Sequence, residues 1–166
     1  MATTKTLEDL FYETLKDIYY AERQIVKALP KMARGAQDEK LKQAFLTHKE
    51  ETEGQIDRLK QVFEIIGKRA QGKTCDAIEG ILSEGEEILE EFKGTPALDA
   101  GLLAAAQAVE HYEISRYGTL RAWAKQLGLK EAVALLEETL AEESKTDEAL
   151  TTLATTAVNS AAKKAA

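Results

Sequence analysis

Apolar positions along the chain recur at spacings of three and four, the period of a single helix face, and nowhere alternate with the period of two that marks a half-buried strand. Leu7, Phe11, Ile18, Ile25 and Leu29 form one such stripe, and Leu41, Phe45, Leu59, Val62 and Ile66 a second. A third runs through Leu102, Ala106, Val109, Leu120, Ala124 and Leu127, and a fourth through Val133, Leu136, Leu140, Leu150 and Ala154. Helix-start residues precede these stretches: Thr6 with Asp9 three residues on, Asp38, Asp76 with Glu79, and Thr95 followed by Pro96. Gly35, Gly67, Gly94 and Gly128 fall just after them, where a left-handed cap is inexpensive for a residue without Cβ. The pattern predicts four long helices over 6–34, 38–66, 96–127 and 129–158, with a shorter one over 76–92 in the connection between the second and third. Pro30 removes an intrahelical hydrogen bond and predicts a kink or an early end in the first helix.

Tight links join the first and last pairs of long helices as antiparallel hairpins, while the long middle connection can return the chain from one end to the other. The expected fold is therefore all-α, a ferritin-like antiparallel four-helix bundle with a long crossover carrying a short fifth helix. A single domain is expected over 1–158, with the low-complexity tail 159–166 frayed.

Each long stripe is broken near its middle by polar residues. Glu22 lies between Ile18 and Ile25 and so points inward on the first helix. The second helix carries His48, Glu51, Thr52 and Gln55 in its central turns, the third Glu110 and Glu113, and the fourth Glu143 and Asp147. Carboxylates from four helices meeting at one level of a low-dielectric core demand a cation, a proton or a basic partner. Basic residues are scarce on these faces, and hard or borderline divalent metals with oxygen and imidazole ligands are the natural compensation. Glu22, Glu51, Glu113 and Glu143 are the first-choice ligands. Gln55, Glu110 and Asp147 are ligands or groups that orient one. His48 either binds the metal or donates a hydrogen bond to a carboxylate.

Composition narrows the function further. A formal net charge of -7 with dispersed Lys and Arg argues against a nucleic-acid partner. The sole cysteine, Cys75, excludes an intramolecular disulfide and a thiolate zinc site and fits a reducing cytoplasm. The N-terminus does not read as a signal peptide, and no segment approaches the roughly 18 apolar residues that would cross a membrane. The alternatives to metal chemistry are also plain: a polar network closed by Tyr, Arg and water, core packing for Tyr19, Tyr20, Tyr112 and Tyr117, a buried structural thiol at Cys75, and a small-residue strip around His111 for a neighbouring helix or subunit.

The two halves resemble each other weakly, EETEGQ (50–55) pairing with EESKTD (142–147), and YYAE (19–22) with EHYE (110–113). Over residues 7–155 the chain resembles the YciF/YciE stress-protein family, a ferritin-like group also described as a domain of unknown function. The resemblance rests on DIYYAERQIVKALPKM (17–32), THKEETEGQIDRL (47–59), GKTCDAIEG (72–80), VEHYEISRYGTL (109–120) and LGLKEAVALLEETLAEESKTDEAL (127–150). It implies a homo-oligomeric bundle that can hold a dinuclear metal centre and is associated with stress responses; a dimer is the default assembly, and iron, or else manganese, the expected metal. The leading expectation is Fe(II) oxidation or peroxide consumption; the alternative is a non-enzymatic stress protein acting through oligomerisation or a protein partner. The wider ferritin-like pattern places Glu-x-x-His on two helices, whereas Gly54 and Thr146 stand here where the histidines would fall.

Overall fold

The computed structural model describes residues 4–164; the extreme ends of the expected domain and of the expected frayed tail lie outside them. Helices run Leu7–Gly35 (α1), Glu39–Ile65 (α2), Asp76–Glu91 (α3), Leu98–Gln126 (α4) and Lys130–Leu153 (α5). A π-helical stretch, Ala154–Val158, then leads into Asn159–Lys164 (α6). No strand occurs among the described residues.

The four long helices form a ring in which α1 packs on α2 and α4, and α5 on α2 and α4, while α3 lies outside against α1 and α4. This is the all-α, ferritin-like bundle with a helical crossover. The α1–α2 and α4–α5 links are tight, and the crossover lets α4 start beside the end of α1, so neighbouring helices run antiparallel. Asp99 fixes that junction: its carboxylate accepts the backbone N–H of Gln37 at 2.8 Å and of Asp38 at 2.7 Å. Phe11, Leu15, Ile18, Phe45, Leu59, Leu102 and Leu120 are among the residues that fill the core on either side of a polar middle layer. No helix of the described residues is long and apolar enough to cross a membrane.

Several boundaries differ from the expectation. Thr6 and Asp9 make the reciprocal capping box, and Asp38 caps α2 through the Leu41 N–H. Asp76, however, is the first residue of α3 and not its cap, which is Cys75 without a capping side-chain bond. Thr95 and Pro96 lie in a turn that closes through Leu98 N–H to the Thr95 carbonyl, so α4 begins two residues later than Pro96. Pro30 does not end α1, which continues to Gly35; burial of Ala33 and Ala36 against the bundle outweighs the one lost hydrogen bond. Gly67, Gly94 and Gly128 have positive φ, as a left-handed cap requires, but Gly35 does not. A Cβ at Gly35 would fall 2.3 Å from Leu89 Cδ1 of α3, the tip of a flexible side chain that would have to shift. At the other end the chain stays helical to Lys164, with Ala154 and Val158 buried one turn apart.

Candidate metal centre

The polar middle layer arises because the helix period turns the interrupting residues inward. Glu22 of α1, His48 and Gln55 of α2, Glu110 and Glu113 of α4, and Glu143 of α5 are all at most 3% exposed. Ligand atoms of His48, Glu110, Glu113 and Glu143 lie within 4.8 Å of one another. His48 Nδ1 stands 2.9 Å from Glu110 Oε1, without the alignment of a hydrogen bond, and His48 Nε2 stands 3.8 Å from both Glu113 Oε2 and Glu143 Oε2. Two donors sharing one ion with bonds of about 2.1 Å stand roughly 3–4 Å apart, so the imidazole and the two carboxylates are spaced as ligands are.

Glu22 completes the layer. It lies close enough to Glu113 for each to alter the other's proton affinity, and Tyr117 Oη donates to its Oε1 at 2.5 Å. Glu110 and Glu143 influence each other's proton affinity in the same way. Gln55 Nε2 donates to Glu143 Oε1 and, at 3.1 Å, to Glu142 Oε2. Arg58 then grips Glu142 with both guanidinium nitrogens, at 2.8 and 2.6 Å, which fixes Gln55 and through it Glu143.

Burial raises the affinity of these carboxyls for protons. It pushes Glu22 up to about 7 and Glu110 to about 8, with neighbouring carboxylates adding to the rise, and drives Glu113 and Glu143 well above the ordinary range. Tyr117 is raised as well, by burial and the adjacent Glu22 carboxylate. Glu22 Oε2, His48 Nε2, Gln55 Oε1, both oxygens of Glu110 and Glu113, and Glu143 Oε2 are buried without a hydrogen-bond partner. Orphaned acceptors converging on one volume are costly unless a cation or protons satisfy them. Oxygen donors with a single imidazole suit a hard or borderline divalent ion, so the residues present fit a metal.

Of the sequence-derived ligands, Glu22, Glu113 and Glu143 meet in this layer together with Glu110, His48 and Gln55. Glu51 and Asp147 do not. Glu51 is half-buried between α2 and α5, where Thr146 Oγ1 donates to its Oε2 at 3.2 Å. Asp147 turns towards α4 and pairs with His111 at 3.1 Å and Gln107 at 3.2 Å. Both remain close enough to raise Glu110 through space. Sequence reasoning missed Arg58 and Glu142; an arginine one turn beyond the inward Gln55 was the available signal.

Residues 6–163 match a family described as a domain of unknown function, DUF892. Protein YciF of Escherichia coli K12 is 48% identical over 163 residues, covering 98% of each chain. The crystal structure of the E. coli stress protein YciF aligns with a TM-score of 0.89 at 49% identity, over 94% of this chain and 99% of that one. YcfI of Rhodopseudomonas palustris, described provisionally as a structural protein, gives 0.88 at 48% identity, over 91% and 96%. A Xanthomonas campestris protein with 22% identity and a TM-score of 0.71 shares the fold.

Proposed function

The chain belongs to the DUF892 family, and from that premise we propose that it is a dinuclear metal-binding protein of the stress response which oxidises Fe(II) or consumes peroxide. The observation that carries the proposal is the buried, unpartnered donor set of Glu22, His48, Glu110, Glu113 and Glu143. Four carboxylates match the charge of two divalent ions, which the layer would otherwise have to offset with protons. Glu113 lies near both Glu22 and the His48–Glu143 side and would offer its carboxylate oxygens to the bound metal. Bound iron, or manganese in its place, would supply the one-electron chemistry. The protein's own part is to hold the carboxylates in register through Tyr117, Gln55 and Arg58, and to keep bulk water from the layer.

The working assembly is a homodimer in the cytoplasm. Exposed Ala104, Ala108 and Ser115 on the outer face of α4 support close approach of a second copy. The lone Cys75 fits a reducing compartment.

One observation favours the non-enzymatic alternative, in which the bundle acts through oligomerisation or a protein partner. The Glu22–Glu113 and Glu110–Glu143 pairs can close on shared protons without any metal. Metal analysis of protein purified without chelators, followed by Fe(II) oxidation and peroxide turnover, separates the two. Stoichiometric metal with turnover supports the first reading; metal-free protein that still protects cells supports the second.

A further inference from the structure

The donors of the centre are buried, so an ion must cross protein to reach them. A groove of about 280 Å³ on the α2–α5 face, walled by apolar side chains interspersed with polar ones, provides a way in. Thr47, Thr146 and Ala149 wall it, and it reaches His48, whose Nε2 is buried and unpartnered. Glu51 lines the same groove. It is half-buried and anchored by Thr146.

Building on the metal reading, we propose that this groove admits the divalent cation and that Glu51 is a transit carboxylate, taking the ion from water and passing it to His48 and Glu110. A hydrated cation gives up its water only as other oxygen donors replace it, and an apolar passage offers none. Glu51 supplies that intermediate donor. The competing approach, beneath α3, narrows to a cavity of about 10 Å³ whose walls, apart from His48, are apolar: Ala28, Met32, Leu82 and Val109 among them. The proposal also explains why an acid of the polar layer lies outside the cluster: it is aimed at the channel and not at the ion's final position. Exposed Lys40 and Lys145 at the groove oppose the cation's approach, which makes the role of charge testable.

The test is stopped-flow uptake of Co²⁺ by chelator-treated full-length protein, read by visible absorbance, with final stoichiometry measured separately. Glu51→Gln and Ala149→Trp should each slow association by about tenfold while final stoichiometry stays at the wild-type value; Lys145→Glu should speed it several-fold at low salt. Ala149 is exposed, so the tryptophan fills the groove without entering the core. Unchanged rates in both Glu51→Gln and Ala149→Trp overturn the route. Loss of bound Co²⁺ in Glu51→Gln overturns the transit role by making Glu51 a resident ligand. If wild-type protein takes up no Co²⁺, the metal reading fails together with this one, an outcome distinct from uptake at unchanged rates.

Discussion

The metal-free protein should lose stability as pH rises from 5.5 to 8, the reverse of what ordinary surface carboxylates produce. Glu22 moves from 4.5 to about 7 and Glu110 from 4.5 to about 8 on folding, chiefly through burial. A carboxyl raised in the folded state holds a proton that the unfolded chain has already released. Its stabilising contribution is therefore complete below the unfolded value and is lost as pH climbs through the folded one. Each such proton gives a slope of about 1.4 kcal/mol per pH unit, so these two groups together give at most about 2.7 between their unfolded and folded values. Glu113 and Glu143 shift the same way and add to the fall. Asp9, Glu13 and Glu142 shift downward, and their loss of stability on acidification is confined to lower pH. Urea unfolding of chelator-treated protein, followed by circular dichroism at pH 5.5, 6.5, 7.5 and 8, measures the slope directly. With saturating Mn²⁺ the slope should flatten or reverse, because metal replaces the protons and its stabilisation grows as they leave. A metal-free midpoint that is flat or rises over this interval would refute the protonated-layer reasoning.

Other substitutions probe separate parts of the structure. Glu113→Gln should abolish stoichiometric metal binding while leaving the metal-free fold as stable as wild type or more so at pH 8, seen by equilibrium dialysis alongside urea unfolding. Tyr117→Phe removes the phenol that donates to Glu22 at 2.5 Å and should lower metal-free stability by about 1–3 kcal/mol, with the larger effect at high pH where Glu22 is ionised. Gly101→Ala places a Cβ 2.6 Å from Ile88 Cγ2, a methyl on a branched Cβ with little freedom, and should cost about 1–2 kcal/mol in thermal or urea unfolding despite alanine's better helix propensity.

The bundle was legible because its helices bury one face each, and the three-and-four spacing records that directly. Glu22, Glu113 and Glu143 fall on the stripe and emerge buried. Glu51 and Asp147 were harder to place for a rotational reason. At 3.6 residues per turn, Glu51 lies about 60° round α2 from His48, and Asp147 about 40° round α5 from Glu143, enough to reach the seams between helices and not the centre. Spacing marks a face, but which edge of that face meets the axis depends on how the neighbouring helix packs. His48 takes the inward position because Gln55, about 20° from it, shares its face. Gly35 shows the same limit. Its sequence context suggests a left-handed cap, whereas its φ is not positive and what it faces is Leu89 of α3, a contact made 54 positions away that no local pattern records. The cap at Cys75 and the late start of α4 are one- and two-residue shifts, within which start signals do not discriminate.

The central claim is that divalent metal, and not protons alone, satisfies the polar layer. Anomalous-scattering maps from crystals of protein purified without chelators, recorded on either side of the iron and manganese edges, test it most directly. Two peaks are expected among Glu22, His48, Glu110, Glu113 and Glu143. A map without anomalous density in that layer, from protein carrying no stoichiometric metal, would contradict it.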